Sequence, residues 1–173
     1  MNNYDTIRHV RGESIFVDDV AQHEETYFIS VFASPVAHGK IKNIDYTSAL
    51  SSEGVKGIIT AKDIPGENQI GGIIPDEVLL AEDIVDFIGQ PIALIIAENP
   101  LAGKAALKKI NVDIEPLPVI TDPREAFSKG NLIIPPRVFS LGNTEECWKE
   151  CEFIVEGTAD SGAQEHLYIE TQG

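Results

Sequence analysis

Basic residues are scarce in this sequence: 13 Lys and Arg stand against 28 Asp and Glu, a formal net charge of −15. A surface of that sign repels phosphate backbones and anionic lipid, which argues against nucleic-acid and membrane-surface partners. Long hydrophobic runs are missing as well. The longest, Ile92-Ala93-Leu94-Ile95-Ile96-Ala97, falls far short of the roughly 20 residues a membrane-spanning helix needs. Cysteine is reduced to Cys147 and Cys151, so no disulfide framework is expected. The opening residues Met1-Asn2-Asn3-Tyr4-Asp5 carry neither the basic nor the apolar region of a secretory leader. These absences together predict a cytoplasmic protein.

Several chemistries lack their residues. His9, His23, His38 and His166 lie far apart, and no pair has the two-on-one-helix-face spacing of a zinc protease. Two thiols are too few for an iron–sulfur cluster, which takes four cysteine ligands. Cys147 and Cys151 therefore read as reduced cysteines on a short helix, and no metal site is expected from this chain by itself. No Gly-x-Ser-x-Gly elbow is present, and no cysteine stands in an evidently basic setting. Gly71-Gly72 lacks the strand-to-helix frame and the Lys-Ser/Thr of a phosphate loop.

What is present is an ordinary globular composition. Apolar residues make up 43% of 173, enough for a core, and the length fits one domain or one domain plus the start of another. Residues 1–25 read as a short extended segment and a turn. Aromatic, β-branched or alternating runs predict strands at 27–33, 40–46, 55–60, 78–81, 84–88 and 92–97. Thr47-Ser48-Ala49-Leu50 reads as a helical turn that Gly54 closes in a left-handed conformation. Asn99-Pro100 supplies a cap and a first helical residue, with helix over 101–109 and a further strand where Ile110, Val112 and Ile114 alternate with polar residues. Asp122-Pro123-Arg124-Glu125 is a capping-box arrangement opening a short helix that ends at Lys129-Gly130. The adjacent prolines Pro135-Pro136 mark a linker, and Asn143 caps a last short helix through Lys149.

Two strands are expected after that helix, over 153–159 and from Gln164 onward. On the second, Gln164, His166, Tyr168, Glu170 and Gln172 share one face. The row is amide, imidazole, phenol, carboxylate and amide rather than a Lys/Glu/Thr mixture. Alternation alone leaves two readings open: the wet face of an amphipathic strand, or a binding face whose partner is supplied from elsewhere.

Beyond these patterns, Ala163-Gln164-Glu165-His166-Leu167-Tyr168-Ile169-Glu170-Thr171-Gln172-Gly173 resembles the segment that opens the molybdenum-cofactor-binding region of xanthine dehydrogenase and aldehyde oxidase large subunits. Gly12-Glu13-Ser14-Ile15-Phe16-Val17-Asp18-Asp19 is similar to that family's Gly-x-Ala-x-Tyr-x-Asp-Asp entry segment. Ala37-His38-Gly39-Lys40-Ile41 is similar to its Ala-His-Ala-x-Ile strand. Gly89-Gln90-Pro91-Ile92-Ala93 resembles its Gly-Gln-Pro-x-Ala strand, and Glu115-Pro116-Leu117-Pro118 its Glu-x-Leu-Pro turn. The matches fall in family order.

The resemblance implies an α+β fold: a hammerhead-type domain over 1–130 with a mixed sheet and short helices, a linker over 131–143, and over 144–173 the first helix and strands of a truncated molybdenum-cofactor-binding region. It implies the N-terminal portion of an oxidoreductase subunit that hydroxylates purines, aldehydes or N-heterocycles with oxygen from water. The molybdenum–pterin cofactor is expected in the complete enzyme and not on this chain alone. The implied partners are the remaining molybdenum-binding segment and the [2Fe–2S] and FAD subunits or domains. Gln164 matches the glutamine that contacts the molybdenum oxo ligand, where an amide is a neutral donor; Glu165, His166 and Glu170 match supporting positions. The family's glycine-rich, phenylalanine-containing cofactor loop and its late catalytic glutamate are absent from these residues, and Ala163 stands where many members carry Gly. The chain alone is accordingly expected to be inactive. The alternatives are a non-enzymatic hammerhead module for subunit docking or assembly, and a small-ligand binder unrelated to molybdenum. Unpaired strand edges after residue 145 predict disorder there or self-association through these C-terminal strands.

Overall fold

The computed structural model describes residues 4–164 apart from 22 and 25, and of Asp18 the backbone alone. The chain divides into two units: Ala21–Ser128, and a second that combines the residues up to Val20 with those from Lys129 on.

The first unit holds six strands, β1 (Phe28–Ala33), β2 (Gly39–Asp45), β3 (Val55–Thr60), β4 (Ile84–Val85), β5 (Pro91–Ala97) and β6 (Asn111–Pro116). They form two three-stranded sheets, ordered β1-β5-β3 and β4-β2-β6. Every ladder is antiparallel. The α+β class stands, and the expected mixed sheet is in fact two antiparallel ones. The reason lies in the connection after β5. Its helix does not return the chain beside β5, as a parallel crossover would, but delivers it to β6 in the other sheet.

That helix, α3 (Pro100–Leu107), is built as its sequence predicts. Asn99 Oδ1 accepts from the Ala102 N–H at 2.9 Å, and Pro100 takes the first turn. The helix stops at Leu107, with Lys108 as cap. Gly103 is buried on its inner face, where a Cβ would collide with the Ser30 hydroxyl of β1. The short helix α2 (Thr47–Leu50) precedes Gly54, whose φ of +77° is left-handed as expected. Ala49, Ile95, Ala106 and Ile110 form one core cluster, and Ala81, Val85 and Ile92 a second. Burial along β5 follows from its central position, with Ile92, Ala93, Ile95 and Ala97 fully enclosed.

Residues 78–81 are not a strand. Asn68 takes the place of a ladder partner: its Oδ1 accepts from the Leu80 N–H at 3.0 Å, and its Nδ2 donates to the Leu80 carbonyl at 2.7 Å. The expected strand at 84–88 shrinks to Ile84–Val85, because Asp86 turns its N–H to the Gln90 side chain. The helix α4 (Pro123–Ser128) starts at Asp122, whose Oδ1 accepts from the Arg124 N–H at 2.7 Å.

In the second unit the expected extended N-terminal segment is a helix, α1 (Tyr4–Arg11). Asp5 in its first turn and Arg8, His9 and Arg11 in its last complement the helix dipole. Gly12 ends it at φ +69°, and a short 3-10 turn covers Val17–Asp19. The last helix, α5 (Thr144–Glu150), is capped by Asn143, which accepts from the Glu146 N–H at 3.2 Å. The strand expected over 153–159 does not form: residues 151–164 carry neither helix nor strand, and Phe153, Ile154 and Val155 are exposed. A strand exists only with a ladder partner, and no strand is present among the described residues of this unit. The second strand expected beside it lies, after Gln164, outside the described residues. No helix among the described residues is long and apolar enough to cross a membrane.

Candidate functional site

Gln164 is the last residue described; it is exposed and belongs to no helix or strand. Glu165, His166, Tyr168, Glu170 and Gln172 lie outside the described residues. Cys147 sits on α5 and Cys151 caps it, both exposed and unbridged, with Cys151 Sγ 3.3 Å from the Cys147 carbonyl.

The motifs within the first unit do converge. His38, at the start of β2, places Nδ1 2.9 Å from the carbonyl oxygen of Pro118. A carbonyl only accepts, so Nδ1 carries the proton. Its other ring nitrogen, Nε2, faces Asp86 Oδ1 at 3.7 Å. The Leu117 N–H donates to the His38 carbonyl at 3.0 Å, and Gly39 pairs with Pro116 in the β2–β6 ladder. Asp86 in turn donates its N–H to Gln90 Oε1 at 2.7 Å. Gln90 is buried, and its carbonyl accepts from the Ser34 N–H at 2.8 Å. Ala37-His38-Gly39, Gly89-Gln90-Pro91 and Glu115-Pro116-Leu117-Pro118 are thus joined at one corner, where β1 turns towards β2, β4 leads into β5 and β6 ends. Asp86 and Ser34, which complete the corner, stand next to the motifs rather than within them. The only signal for Asp86 in the sequence is its place four residues before Gln90.

Beside β2 lies a cleft of about 340 Å³, lined by Lys42, Asn43, Tyr46, Lys62, Glu82 and Asp83 among others. Its wall continues past the short β4, where the Ile41 N–H donates to the Asp83 carbonyl at 2.8 Å. Lys42 is paired with Glu115 on β6, and this cation holds the Glu115 carboxyl below its ordinary range. At the cleft's rim the Thr60 N–H and hydroxyl donate to Asp63 Oδ2 at 2.8 and 2.9 Å, which likewise depresses the Asp63 carboxyl. Lys42 with Glu115 and Thr60 with Asp63 are thus already paired with one another.

The sequence profile of the family described as "Aldehyde oxidase and xanthine dehydrogenase, a/b hammerhead domain" matches residues 11–118, a span that contains the whole corner. This chain belongs to that family. Among curated relatives, aldehyde oxidase 2 of Cavia porcellus is 36% identical over 167 residues, covering 96% of this chain and 12% of the relative. Xanthine dehydrogenase 1 of Arabidopsis thaliana is 37% identical over 167 residues, 95% of this chain and 12% of its own. Among solved structures, a Cu,Mo-CO dehydrogenase superposes with a TM-score of 0.66 at 31% identity, covering 73% of this chain and 16% of that one. The aldehyde oxidoreductase from Desulfovibrio gigas gives 0.60 at 32% identity, covering 65% and 14%. The chain therefore spans 12% of the length of the curated relatives it matches.

In this chain the corner reads as architecture. His38, Gln90 and Asp86 hold three chain segments in register, and the side-chain oxygen of the buried Gln90 accepts a hydrogen bond in doing so.

Proposed function

We propose that this chain is the N-terminal portion of the molybdenum-binding subunit of a molybdenum hydroxylase, and that it does not catalyse alone. The observation that carries this reading is the pair of coverages: relatives named aldehyde oxidase and xanthine dehydrogenase match along 96 and 95% of the chain, while the chain accounts for 12% of each. In this reading residues 1–130 form the hammerhead domain and 131–143 the linker. Residues 144–173 open the cofactor-binding region. Gln164 contacts the molybdenum oxo ligand once the remaining segment is in place, while [2Fe–2S] and FAD reside on partner subunits or domains of a cytoplasmic assembly.

The described residues do not by themselves fit the cofactor. Among them no three His, Cys, Asp or Glu side chains converge as a metal-holding group, and Gln164 brings a single neutral amide. The reactive groups of a hydroxylation using water belong, on this proposal, to the part of the relatives' length outside these 173 residues. A second reading, a non-enzymatic hammerhead module for docking or assembly, is favoured by the structural character of the His38–Asp86–Gln90 corner. Molybdenum analysis of the isolated 173-residue chain, with xanthine and aldehyde oxidation assays, tests the proposal. It predicts neither metal nor turnover; stoichiometric molybdenum with turnover in the isolated chain would overturn it.

A further inference from the structure

The cleft beside β2 exists because β4 leaves its partner early. β6 pairs with β2 from Gly39 to Asp45, whereas β4 pairs only with Gly39 and Lys40. One further bond, from the Ile41 N–H to the Asp83 carbonyl, ends the contact. Glu82 and Ala81 would come next on a continued ladder, but that stretch is held elsewhere. The Ala81 N–H donates to the Pro91 carbonyl at 2.8 Å, and Leu80 is bonded twice to the Asn68 side chain. The chain therefore peels away from β2 towards β5, and beyond Ile41 that edge of β2 has no strand beside it. The gap is the cleft of about 340 Å³. Ile41, Ile44, Ala61 and Ala81 line it as buried or half-buried apolar residues, and Asn43 and Tyr46 as exposed ones.

An open strand edge beside a partly apolar slot is the geometry that accepts an added strand. We propose that this slot takes a basic, extended segment of another protein, laid antiparallel along residues 43–45 of β2. The inference stands apart from the functional reading above. Charge selects the occupant. Lys42 is already paired with Glu115, which leaves Lys62, Glu82 and Asp83 as the other charged residues lining the cleft. Among the described residues no cation pairs with Glu82 or Asp83. One cation against two carboxylates makes the rim net negative, within a chain of net charge −15. Such a rim attracts a lysine or arginine side chain and repels an acidic one. Strand direction adds a second requirement. A segment that continues the line of β4 meets Glu82 and Asp83 with its C-terminal end. A free terminal carboxylate is repelled there, so the occupant is an internal stretch of its own chain.

Fluorescence anisotropy of the 173-residue chain with labelled, end-capped peptides tests the proposal. The probes are acetyl-Val-Lys-Val-Lys-Val-amide, its counterpart with Glu in place of Lys, and the Lys peptide with N-methylated backbone amides. The unmodified Lys peptide is expected to bind at least roughly tenfold more tightly than either of the others. The Glu peptide lacks the charge match, and the methylated one lacks the backbone donors of a strand. Amide resonances of Asn43, Ile44 and Asp45 should shift on titration, and Glu82→Gln combined with Asp83→Asn should weaken the Lys peptide about threefold or more. Equal binding of the methylated peptide, or shifts confined to other residues, would overturn strand addition. Equal or tighter binding of the Glu peptide, or binding of none, would overturn the proposal as well. So would a dimer in sedimentation whose hydrogen exchange protects residues 43–45, because the occupant would then be a second copy of this chain. Should the double variant lose its fold, the three peptides on the unaltered chain decide alone.

Discussion

His38 Nδ1 donates a hydrogen bond across 80 positions of sequence to the Pro118 carbonyl, at 2.9 Å. It thereby ties the start of β2 to the point where the chain leaves β6. The backbone bond from the Leu117 N–H to the His38 carbonyl lies beside it, so the side chain reinforces a junction that the main chain already makes.

Replacing His38 by Ala should therefore loosen the corner without dissolving it. One hydrogen bond at a partly exposed site is worth about 1 kcal/mol, and urea unfolding of His38→Ala should show a loss near that size. A loss below a few tenths would mean that the ring is not a tie at all.

Two glycines differ in what a methyl group would meet. Gly54 has φ +77°, and its Cβ would lie 2.9 Å from Ala102 Cβ of α3. Gly57 has no left-handed φ, and its Cβ would make only an ordinary contact with Ile96 Cδ1 at 3.9 Å. Gly54→Ala should cost about 2 kcal/mol or more from backbone strain and crowding together, whereas Gly57→Ala should be near neutral. Thermal unfolding of both variants checks the contrast; equal effects would contradict the geometry.

Stability should fall in acid. Backbone and side-chain donors of Thr60 depress Asp63, those of Thr47 depress Asp45, and Lys42 depresses Glu115. Each carboxylate binds protons less readily folded than unfolded, so its contribution is complete above the ordinary values of 3.8 and 4.5 and is lost as pH drops through the lower folded values. Lys56, paired with Glu98 at 2.7 Å, is raised above 10.5. Its contribution holds below that value and is lost as pH rises through the folded one. Urea titrations across pH should show both limbs, and Asp63→Asn should flatten the acid one.

Much of the first unit was legible because its signals are local. Asn99-Pro100 announces α3, the alternation of Ile110, Val112 and Ile114 announces β6, and Gly54 announces a left-handed residue. The division into two sheets was not legible, since the pairing of β5 with β1 and β3 and of β2 with β6 is set by packing between distant segments. Val78 to Ala81 has strand composition, yet the two bonds from Asn68 to Leu80 satisfy its backbone instead of a ladder. Helix α1 is less legible: Tyr4, Ile7 and Val10 recur at helical spacing, but over two turns and with no buried residue the signal is weak. At the candidate site, the motifs were visible as words, but their meeting through His38, Asp86 and Gln90 was not. Gln164 was singled out by resemblance, and its exposed, irregular setting neither positions it nor supplies neighbours.

On the proposed function, this chain and the remaining molybdenum-binding segment form a site only together. The most direct measurement is molybdenum content with xanthine and aldehyde turnover for this chain, for the remaining segment, and for the two combined. Stoichiometric molybdenum and turnover in the combined sample alone is the predicted result. A remaining segment that is fully loaded and active without this chain would contradict it.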